Sequence, residues 1–181
     1  MILTGYLGHT YAQQFPFAIS ASIAIEQSYG YIDGDSASLA ELCCLISALT
    51  RTPVKQAFAV TGSINQYGEV QAVGGVNEKI EGYFRLCRAR GLNGQHAAII
   101  PAANKRNLML KQEVIDAVAK GLFAVYAVAS VDETLELLTG QPAVEPNDEG
   151  LYPENCINFR AISRLKEISD MASDDDKEEG I

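Results

Sequence analysis

The sequence predicts an α+β domain in which a mixed sheet packs against helices. The chain has 181 residues, of which 48% are hydrophobic, so it is long and apolar enough to bury a core as one domain. Segments with apolar residues at helical spacing alternate along the chain with short apolar runs that are typical of buried strands. Glycine and proline separate these segments, as they do at turns between elements. Together these observations indicate a mixed class.

The clearest helix lies within the stretch from Asp33 to Thr50, DGDSASLAELCCLISALT. Small polar residues open the stretch, and apolar residues then recur at the spacing of a buried helical face: Leu39, Leu42, Cys43, Leu45, Ile46 and Leu49. Ser36 stands at or just before the helix N-terminus, where unpaired N–H groups and the helix dipole favour negative charge. A helix cap is the ordinary role of a serine there. A role as nucleophile requires a base from another part of the chain.

Two elements and a loop are predicted before this helix. Residues 2–7 are interpreted as a short strand that ends in a turn. Pro16 opens a mostly apolar segment, predicted to be helical, that runs to Glu26. A loop over 27–35 then leads into the central helix, and loops in such a position commonly display functional groups.

Strands and helices alternate after the central helix. The predicted elements are a strand over 56–61, a hairpin over 62–75 with its turn at Tyr67-Gly68, a helix over 77–90, a strand over 97–100, a helix over 112–120 and a strand over 123–128. Ser130 and Glu133 form a capping box for one more helix, 131–139, which Gly140 ends.

The composition changes after residue 140, so we place the end of the domain, residues 1–140, at that point. Residues 141–153 are rich in Pro, Gly, Asn and acids and are predicted to be a linker. Residues 154–170 form an amphipathic helix that packs either on the domain or on a neighbouring subunit. The acidic residues 171–181 are predicted to be a disordered tail.

Charge and cysteine content exclude several classes of function. The net charge is −9, of which residues 170–181 contribute −5 with six acids and one lysine, and this balance argues against a nucleic-acid partner. The four cysteines form no CxxC pair and no histidine stands at metal-ligand spacing. We therefore expect no metal, and buried free thiols in a reducing, cytoplasmic compartment. No stretch approaches the roughly 18 apolar residues of a membrane span, and no signal peptide is recognised. Because a predicted strand begins at once at Ile2, we expect a piece excised from a larger protein.

Few residues could serve as a base for Ser36. A Ser-His-Asp triad would have only two histidines to draw on, His9 and His96. The SxxK signature is absent, because Leu39 stands three residues after Ser36. A lysine acts as a base only when uncharged, and moving an amine pKa from about 10.4 to about 7 requires roughly 4.6 kcal/mol of unfavourable burial. Lys79 fits best, because it follows a Gly-Gly turn in a first helical turn beside an apolar face. The alternative is a solvated lysine on a helix.

Four motifs follow one another along the chain: GDSAS at 34–38, AVTGS at 59–63, GEVQAVGGVNEKI at 68–80 and IPAANKRNL at 100–108. In this order they resemble the proteolytic domain of the Lon protease family. One branch of that family carries GDSAS and TGS, where the other carries GPSAG and TGE. This chain resembles the first branch. LTG at 3–5 resembles the start of the family's domain, so the resemblance spans about residues 2–139. Ala103 departs from the acidic residue common in the last motif, a departure that touches no catalytic position.

The resemblance implies roles position by position. Ser36 matches the nucleophile of the family, and Lys79, 43 residues later, matches its general base, which implies a serine endopeptidase with a Ser-Lys dyad. Thr61 matches a threonine that forms a hydrogen bond with this lysine. Asp33 matches an acidic residue that some relatives place near the lysine. The backbone N–H groups of Ser36 and Ala37 are the implied candidates for stabilising an oxyanion.

The resemblance also implies a fold, substrates and partners. The Lon domain is similar to domain 2 of ribosomal protein S5, an α+β fold. Family members unfold damaged proteins with an ATPase unit and assemble as hexameric rings, so ATP and Mg²⁺ are expected only outside this chain, which has no Walker motif. For the chain itself we expect no cofactor, unfolded proteins or peptides as substrates, and a homohexamer. Two alternatives stay open: a catalytically silent assembly or chaperone module with the Lon fold, and a nucleic-acid binder of the wider S5-like superfamily.

Overall fold

The computed structural model describes residues 2–25, 34–144 and 146–178, the last five of these by their backbone alone. Helices, a parallel sheet and a two-stranded antiparallel sheet make up the described part, which confirms the α+β class. In chain order the elements are α1 (Ile2–Tyr11), α2 (Ser38–Thr50), β1 (Phe58–Val60), β2 (Ser63–Ile64), β3 (Val70–Gln71), α3 (Val76–Arg90), β4 (Ala97–Pro101), a 3-10 helix (Ala102–Asn107), α4 (Gln112–Ala119), β5 (Ala124–Val128), α5 (Val131–Thr139) and α6 (Ile157–Glu178).

The parallel and the antiparallel strands of the predicted mixed sheet form two separate sheets. Strands β1, β4 and β5 form a parallel sheet in the order β1-β4-β5, with Ala59 opposite Ala98. Parallel neighbours need a crossover connection, and α3 and α4 supply the two crossovers. Strands β2 and β3 form the predicted antiparallel hairpin. A bridge between Glu69 and Ser130 joins this hairpin to the start of α5.

The alternation of side chains along the parallel strands divides the core between the two faces of the sheet. On one face Ile99 belongs to a cluster with the buried residues of α2, α5 and α6. On the other face Ala98 and Ile100 belong to a cluster with the buried residues of α3 and α4. Helix α2, which follows Ser36, and helix α3, which carries Lys79, therefore pack on opposite faces of the sheet. The two residues meet at the end of β1.

The first ten described residues form a helix, so the prediction of a strand over residues 2–7 is wrong. The buried side chains of α1 are Tyr6, Leu7 and Tyr11, which lie on one face of a helix because they are spaced by one and four residues. Tyr6 and Tyr11 contact each other edge to face, with ring centroids 5.8 Å apart. Packing of these aromatic rings into the core decides the conformation of a segment that is too short for its periodicity to distinguish helix from strand.

The segment after α1 is extended, so the prediction of a helix from Pro16 to Glu26 is wrong for its described part. Residues 16–25 form neither helix nor strand. Phe15, Phe17 and Ile19 are half-buried against the core, and the residues between them are exposed. This alternation with a period of two is typical of extended chain. Glu26 and residues 27–33 of the predicted loop lie outside the described residues.

Helix α6 packs on the domain itself. Ile157, Ala161 and Leu165 are buried in the same cluster as the apolar face of α2, and Ala143 from the predicted linker is buried with them. The helix continues to Glu178 instead of ending at residue 170, so the prediction of a disordered tail is wrong for residues 171–178. The last three residues lie outside the described part.

The burial of the cysteines and the length and polarity of the described helices agree with most of what the composition predicts. Cys43, Cys87 and Cys156 are buried free thiols as predicted, whereas Cys44 is exposed. Burial raises the pKa of the Cys43 thiol to about 12, so it stays protonated and unreactive. Of the helices in the described ranges, none combines the length and the apolar character that a membrane span requires.

Candidate active site

Ser36 lies in the turn before α2, and its hydroxyl does not cap the helix. The helix begins at Ser38 with Ala37 as its N-cap, and no hydrogen bond from a described side chain caps it. The Ser36 carbonyl accepts hydrogen bonds from the Gly62 N–H at 2.9 Å and from the Thr61 hydroxyl at 3.2 Å. The ordinary interpretation of Ser36 as a cap is therefore wrong. Its backbone is anchored to the residues that follow β1, which leaves the hydroxyl to face Lys79.

Lys79 approaches Ser36 from the first turn of α3. Gly75 precedes the helix with φ of 68°, a left-handed conformation that glycine adopts without strain. The Lys79 N–H donates to the Gly75 carbonyl at 3.0 Å, which closes the first turn of the helix. Lys79 Nζ lies 2.9 Å from Ser36 Oγ and donates a hydrogen bond to it. The sharp turn before α3 thus directs this lysine towards the serine.

Thr61 connects the serine and the lysine. Its backbone N–H donates to the Ile99 carbonyl at 3.0 Å, which continues the ladder between β1 and β4 beyond Val60. Its hydroxyl donates to the Ser36 carbonyl at 3.2 Å and accepts from Lys79 Nζ, also at 3.2 Å. A threonine hydroxyl has one proton to donate. Because that proton is directed at Ser36, the oxygen is left to accept an N–H of Lys79.

Further hydrogen bonds hold the turn before α2 against the hairpin. Ser63 Oγ donates to Asp35 Oδ2 at 2.8 Å, and the Ile64 N–H donates to Ser38 Oγ at 3.2 Å. Short polar residues such as Asp35 and Ser38 are typical of helix caps, and the sequence predicts no contact for Ser63. The contact between this turn and the hairpin could have been suspected, because GDSAS and AVTGS each place short polar side chains beside a candidate site residue.

An apolar pocket of about 270 Å³ opens beside the hydroxyl groups of Ser36 and Thr61. Ala59 of β1, Ala98 of β4, and Ile80 and Tyr83 of α3 contribute to its walls. The Tyr83 hydroxyl donates to the Ala57 carbonyl at 2.8 Å. Burial raises the pKa of Tyr83 to about 12, so this hydroxyl remains a donor at neutral pH. From the sequence, Tyr83 is expected only on the apolar face of the helix predicted over 77–90.

Lys79 is exposed in the single chain, whereas a lysine that acts as a base is expected to be enclosed. Within the described part of the chain, no carboxylate lies at ion-pair distance from its amine. Among the described residues, Lys79 thus has two hydroxyl oxygens and the apolar pocket as its neighbours.

The structure brings Ser36, Lys79 and Thr61 together, as the motifs predict. Asp33, the fourth predicted side chain of the site, lies outside the described residues. Neither histidine borders the pocket: His9 packs edge to face on Tyr67, with ring centroids 5.9 Å apart, and His96 precedes β4. Among the residues that the structure describes, no group of three acidic, histidine or cysteine side chains could hold a metal ion.

An α+β domain that holds a serine hydroxyl against a lysine amine beside an apolar pocket has the features of a hydrolase with a serine nucleophile. Comparison with known families is more specific, because residues 13–140 match the model of the Lon protease (S16) C-terminal proteolytic domain. The chain belongs to this family.

Individual relatives agree with the family match. A protein of Escherichia coli (strain K12) described as a Lon protease homolog is 55% identical over 126 residues, which are 70% of this chain and 21% of that protein. A similarly described protein of Haemophilus influenzae is 49% identical over 152 residues, 84% of this chain and 24% of that protein. An archaeal Lon protease of Methanocaldococcus jannaschii is 40% identical over 116 residues, 64% of this chain and 15% of that protein. The chain thus spans about a quarter or less of the length of these relatives.

Proposed function

We propose that this chain is a serine endopeptidase domain that hydrolyses peptide bonds with Ser36 as nucleophile and Lys79 as general base. The observation that carries the proposal is the 2.9 Å separation of Lys79 Nζ from Ser36 Oγ. This distance lies within the range that direct proton transfer requires. Membership of the Lon protease family supports the same reaction class.

The first half of the reaction forms an acyl-enzyme. Uncharged Lys79 takes the proton of the Ser36 hydroxyl while Oγ forms a bond to the carbonyl carbon of the substrate. The carbonyl oxygen becomes an oxyanion, for which the backbone N–H groups of Ser36 and Ala37, close to the start of α2, are the proposed donors. The tetrahedral intermediate collapses when the bond from carbon to nitrogen breaks. The Lys79 ammonium then returns its proton to the departing amine.

The second half of the reaction releases the acid product. Water attacks the ester carbon, and Lys79 accepts a proton from that water. The bond between the carbonyl carbon and Ser36 Oγ breaks, and the lysine gives the proton to Oγ. Serine and uncharged lysine are both restored.

Thr61 positions the lysine throughout these steps. Because its own proton is donated to the Ser36 carbonyl, its oxygen accepts an N–H of Lys79. With one N–H held in this way, the lone pair of uncharged Lys79 can turn towards the Ser36 hydroxyl. We assign Asp33 a supporting role by resemblance alone.

The exposure of Lys79 leads us to propose that activity depends on a cover for the site. A lysine that acts as a base is expected to be enclosed, so we propose that the active state shields this amine from bulk water. A bound peptide or a neighbouring subunit could provide this cover. Such a cover fits a homohexameric ring that receives unfolded protein from an ATP- and Mg²⁺-dependent unit outside this chain. We propose that the whole protein is a cytoplasmic protease of protein quality control and that the chain itself binds no cofactor.

Substitution of the two proposed catalytic residues tests this function. Ser36→Ala and Lys79→Ala should each lower the cleavage of an unfolded protein such as casein at least about a thousandfold, as removal of a nucleophile or base does in other serine peptidases. Lys166→Ala, at an exposed lysine of α6, is the matched control and should cleave as the parent does.

The same experiment separates the proposal from the alternative of a silent assembly module. A fluorophosphonate probe should label the parent on Ser36 and leave Ser36→Ala unlabelled. Circular dichroism should show that all variants fold. If the unsubstituted protein neither cleaves nor is labelled when the site is covered in the assembled ring, the domain is a catalytically silent module. If Lys79→Ala cleaves as well as the parent, the lysine is not the base.

A further inference from the structure

The fourth motif, IPAANKRNL, has no role in the chemical steps described above. Its first two residues end β4, and the next six form the 3-10 helix Ala102–Asn107. Among the described residues that line the pocket beside Ser36, only Ile100 comes from this motif. The 3-10 helix nevertheless lies close to the proposed base, because hydrogen bonds join it to the residues around the turn before α3. The motif is thus in position to support Lys79.

Asn104 of this motif holds the chain just before the Gly-Gly turn that leads to Lys79. Its Oδ1 accepts a hydrogen bond from the Val73 N–H at 3.0 Å, and its Nδ2 donates to the Val73 carbonyl, also at 3.0 Å. One side chain thus satisfies both backbone groups of Val73, as a residue of a neighbouring strand would do. Because β3 ends at Gln71, this amide holds a residue that has already left the antiparallel ladder.

Asn77, in the first turn of α3, forms the reciprocal contact. Its Oδ1 accepts from the Met109 N–H at 2.9 Å, and its Nδ2 donates to the Asn107 carbonyl at 3.4 Å. Each of the two segments therefore holds the backbone of the other through a side-chain amide. The Gly-Gly turn is fixed on both sides as a result, at Val73 before it and at Asn77 after it.

The Gly-Gly turn has little packing of its own to fix its conformation. A Cβ atom at Gly74 would meet no atom within 4 Å, and one at Gly75 would meet only the Glu78 carboxylate, at 3.8 Å. Glycine also has more backbone freedom than any other residue. Lys79 follows this turn by four residues and is itself exposed. The position of its amine therefore depends on where the turn allows α3 to begin.

Strand β4 gives the two sides of the site a common reference. The Thr61 N–H donates to the Ile99 carbonyl of β4 at 3.0 Å. This places the threonine hydroxyl that contacts both Ser36 and Lys79. Asn104 follows the end of β4 by three residues and holds the turn before Lys79. Loss of the Asn104 contacts would therefore displace the base while the nucleophile keeps its own anchors.

We propose that Asn104 is a positioning residue, which directs Lys79 at Ser36 by fixing the Gly-Gly turn before α3. It acts through the backbone of Val73 and takes no part in bond making. The inference rests on the proposed peptidase function. It extends the site to the fourth motif, where an amide is required because the contact needs one acceptor and one donor on the same side chain.

Asn104→Ala removes both hydrogen bonds to Val73 and tests this inference on the full chain. We expect kcat for a fluorogenic peptide to fall about ten- to a hundredfold, because a displacement of about 1 Å can cost a hundredfold in rate. KM should change less than about threefold, since Asn104 lies outside the described lining of the pocket. The rate at which a fluorophosphonate labels Ser36 should fall by a similar factor. An unchanged kcat, or a loss in KM alone, overturns the inference.

Two further variants keep this test valid. Asn104→Asp has nearly the same shape and keeps the acceptor for the Val73 N–H but loses the donor to the carbonyl. It should lower kcat at least about tenfold even if Asn104→Ala does not fold, and an unchanged kcat overturns the inference. Lys105→Ala, at an exposed neighbour in the same 3-10 helix, is the matched control and should keep the kcat of the unsubstituted protein.

A second-site substitution distinguishes positioning from a general effect on stability. Gly74 is not among the glycines with positive φ, so Gly74→Ala should restrict the turn without strain. In the Asn104→Ala background it should recover kcat at least about threefold. Gly8→Ala, in α1, also adds a Cβ that meets no atom within 4 Å and is the matched control. It should raise the urea midpoint but not kcat. If Gly74→Ala recovers no more kcat than Gly8→Ala, Asn104 has no positioning role.

The unsubstituted protein distinguishes failure of this inference from failure of the proposed function. If it neither cleaves peptides nor is labelled on Ser36 when the site is covered, both proposals fail. If it cleaves, and the Asn104 variants cleave equally well, only the role of Asn104 is wrong.

Discussion

Thr61 illustrates how one hydroxyl can orient a catalytic pair without taking part in bond making. Its oxygen lies 3.2 Å from Lys79 Nζ and its proton is directed to the Ser36 carbonyl. Thr61→Val keeps the shape and removes both hydrogen bonds. We expect kcat to fall roughly ten- to a hundredfold, since each of the two lost hydrogen bonds between uncharged groups contributes about 0.5–1.5 kcal/mol.

Steady-state peptide hydrolysis provides the measurement for Thr61. KM should change little, because valine keeps the shape of the pocket wall that Thr61 forms. Thr61→Ser is the matched control, because it keeps a hydroxyl in reach of both partners and should recover most of the activity. A loss in Thr61→Val that appears in KM alone would contradict a positioning role.

Glu81 provides a residue-scale test on stability, away from the site. Its carboxylate accepts the Lys111 N–H at 3.1 Å and pairs with the Lys111 amine, also at 3.1 Å. The hydrogen bond to Lys111 lowers the pKa of Glu81 below its ordinary value. A carboxylate whose pKa is lowered by folding stabilises the folded state above the unfolded pKa, about 4.3, and loses this effect as the pH falls through the folded value.

Glu81→Gln should therefore be less stable than the parent at pH 7, and the difference should shrink towards pH 3. Urea unfolding at several pH values measures it. A matched control is Glu149→Gln, at an exposed carboxylate outside the described ion pairs, which should show a smaller dependence on pH. An equal difference at pH 7 and pH 3 would show that the ionised carboxylate does not stabilise the fold.

At the residue scale, the sequence predicts which side chains meet but not their surroundings. The GDSAS, TGS and GG-x-x-EK patterns correctly predict that Ser36, Thr61 and Lys79 lie together. The exposure of Lys79 and the anchoring of Tyr83 on Ala57 depend on how α3 crosses β1. That crossing is set by packing between residues far apart in the chain, which local patterns do not record.

Gly62 connects the site to the elements around it. Its N–H donates to the Ser36 carbonyl at 2.9 Å and its carbonyl accepts from Leu39 of α2. A Cβ atom at Gly62 would lie 2.9 Å from Leu39 Cδ2 and 3.2 Å from Val70 Cγ1. Because Leu39 is fully buried, it has no free space into which to move.

Gly62→Ala should therefore push α2 and the Ser36 turn away from β2. We expect a loss of about 1–3 kcal/mol in the free energy of unfolding, typical of overpacking, together with lower kcat because Ser36 shifts from Lys79. Chemical denaturation and peptide hydrolysis measure the two effects. Gly74→Ala is the control, since a Cβ there meets no atom within 4 Å. Equal behaviour of the two variants would contradict the tight contact.

At the scale of elements, periodicity succeeds where an element is long and fails where it is short. The helices α2, α3 and α5 begin within a residue or two of their predicted positions, and Ser130 caps α5 through the Glu133 N–H as predicted. The strand predicted for residues 2–7 and the helix predicted from Pro16 both fail. Burial of Tyr6 and Tyr11 favours a helix in the first case, and the alternation through Phe17, an overlooked signal, marks extended chain in the second.

At the scale of the whole molecule, the core extends beyond the part that matches the family. The match covers residues 13–140, yet Ile157, Ala161 and Leu165 of α6 are buried in one cluster with α2. Helix α2 begins two residues after Ser36, so the helix that packs on α2 also supports the turn that carries the proposed nucleophile. Removal of α6 would expose that side of the domain to water.

Leu165→Ala tests whether α6 is an integral part of the domain. Leu165 is only 3% exposed, so the substitution should lower the free energy of unfolding by about 2–5 kcal/mol, as truncation of a buried leucine does elsewhere. Met171→Ala, at a methionine of the same helix that is 64% exposed, should change it little. Urea denaturation measures both variants, and a single transition with an unchanged slope would show that α6 unfolds with the domain. If Leu165→Ala is as stable as Met171→Ala, or if α6 melts separately, the helix is an appendage and the domain ends where the composition changes, near residue 140.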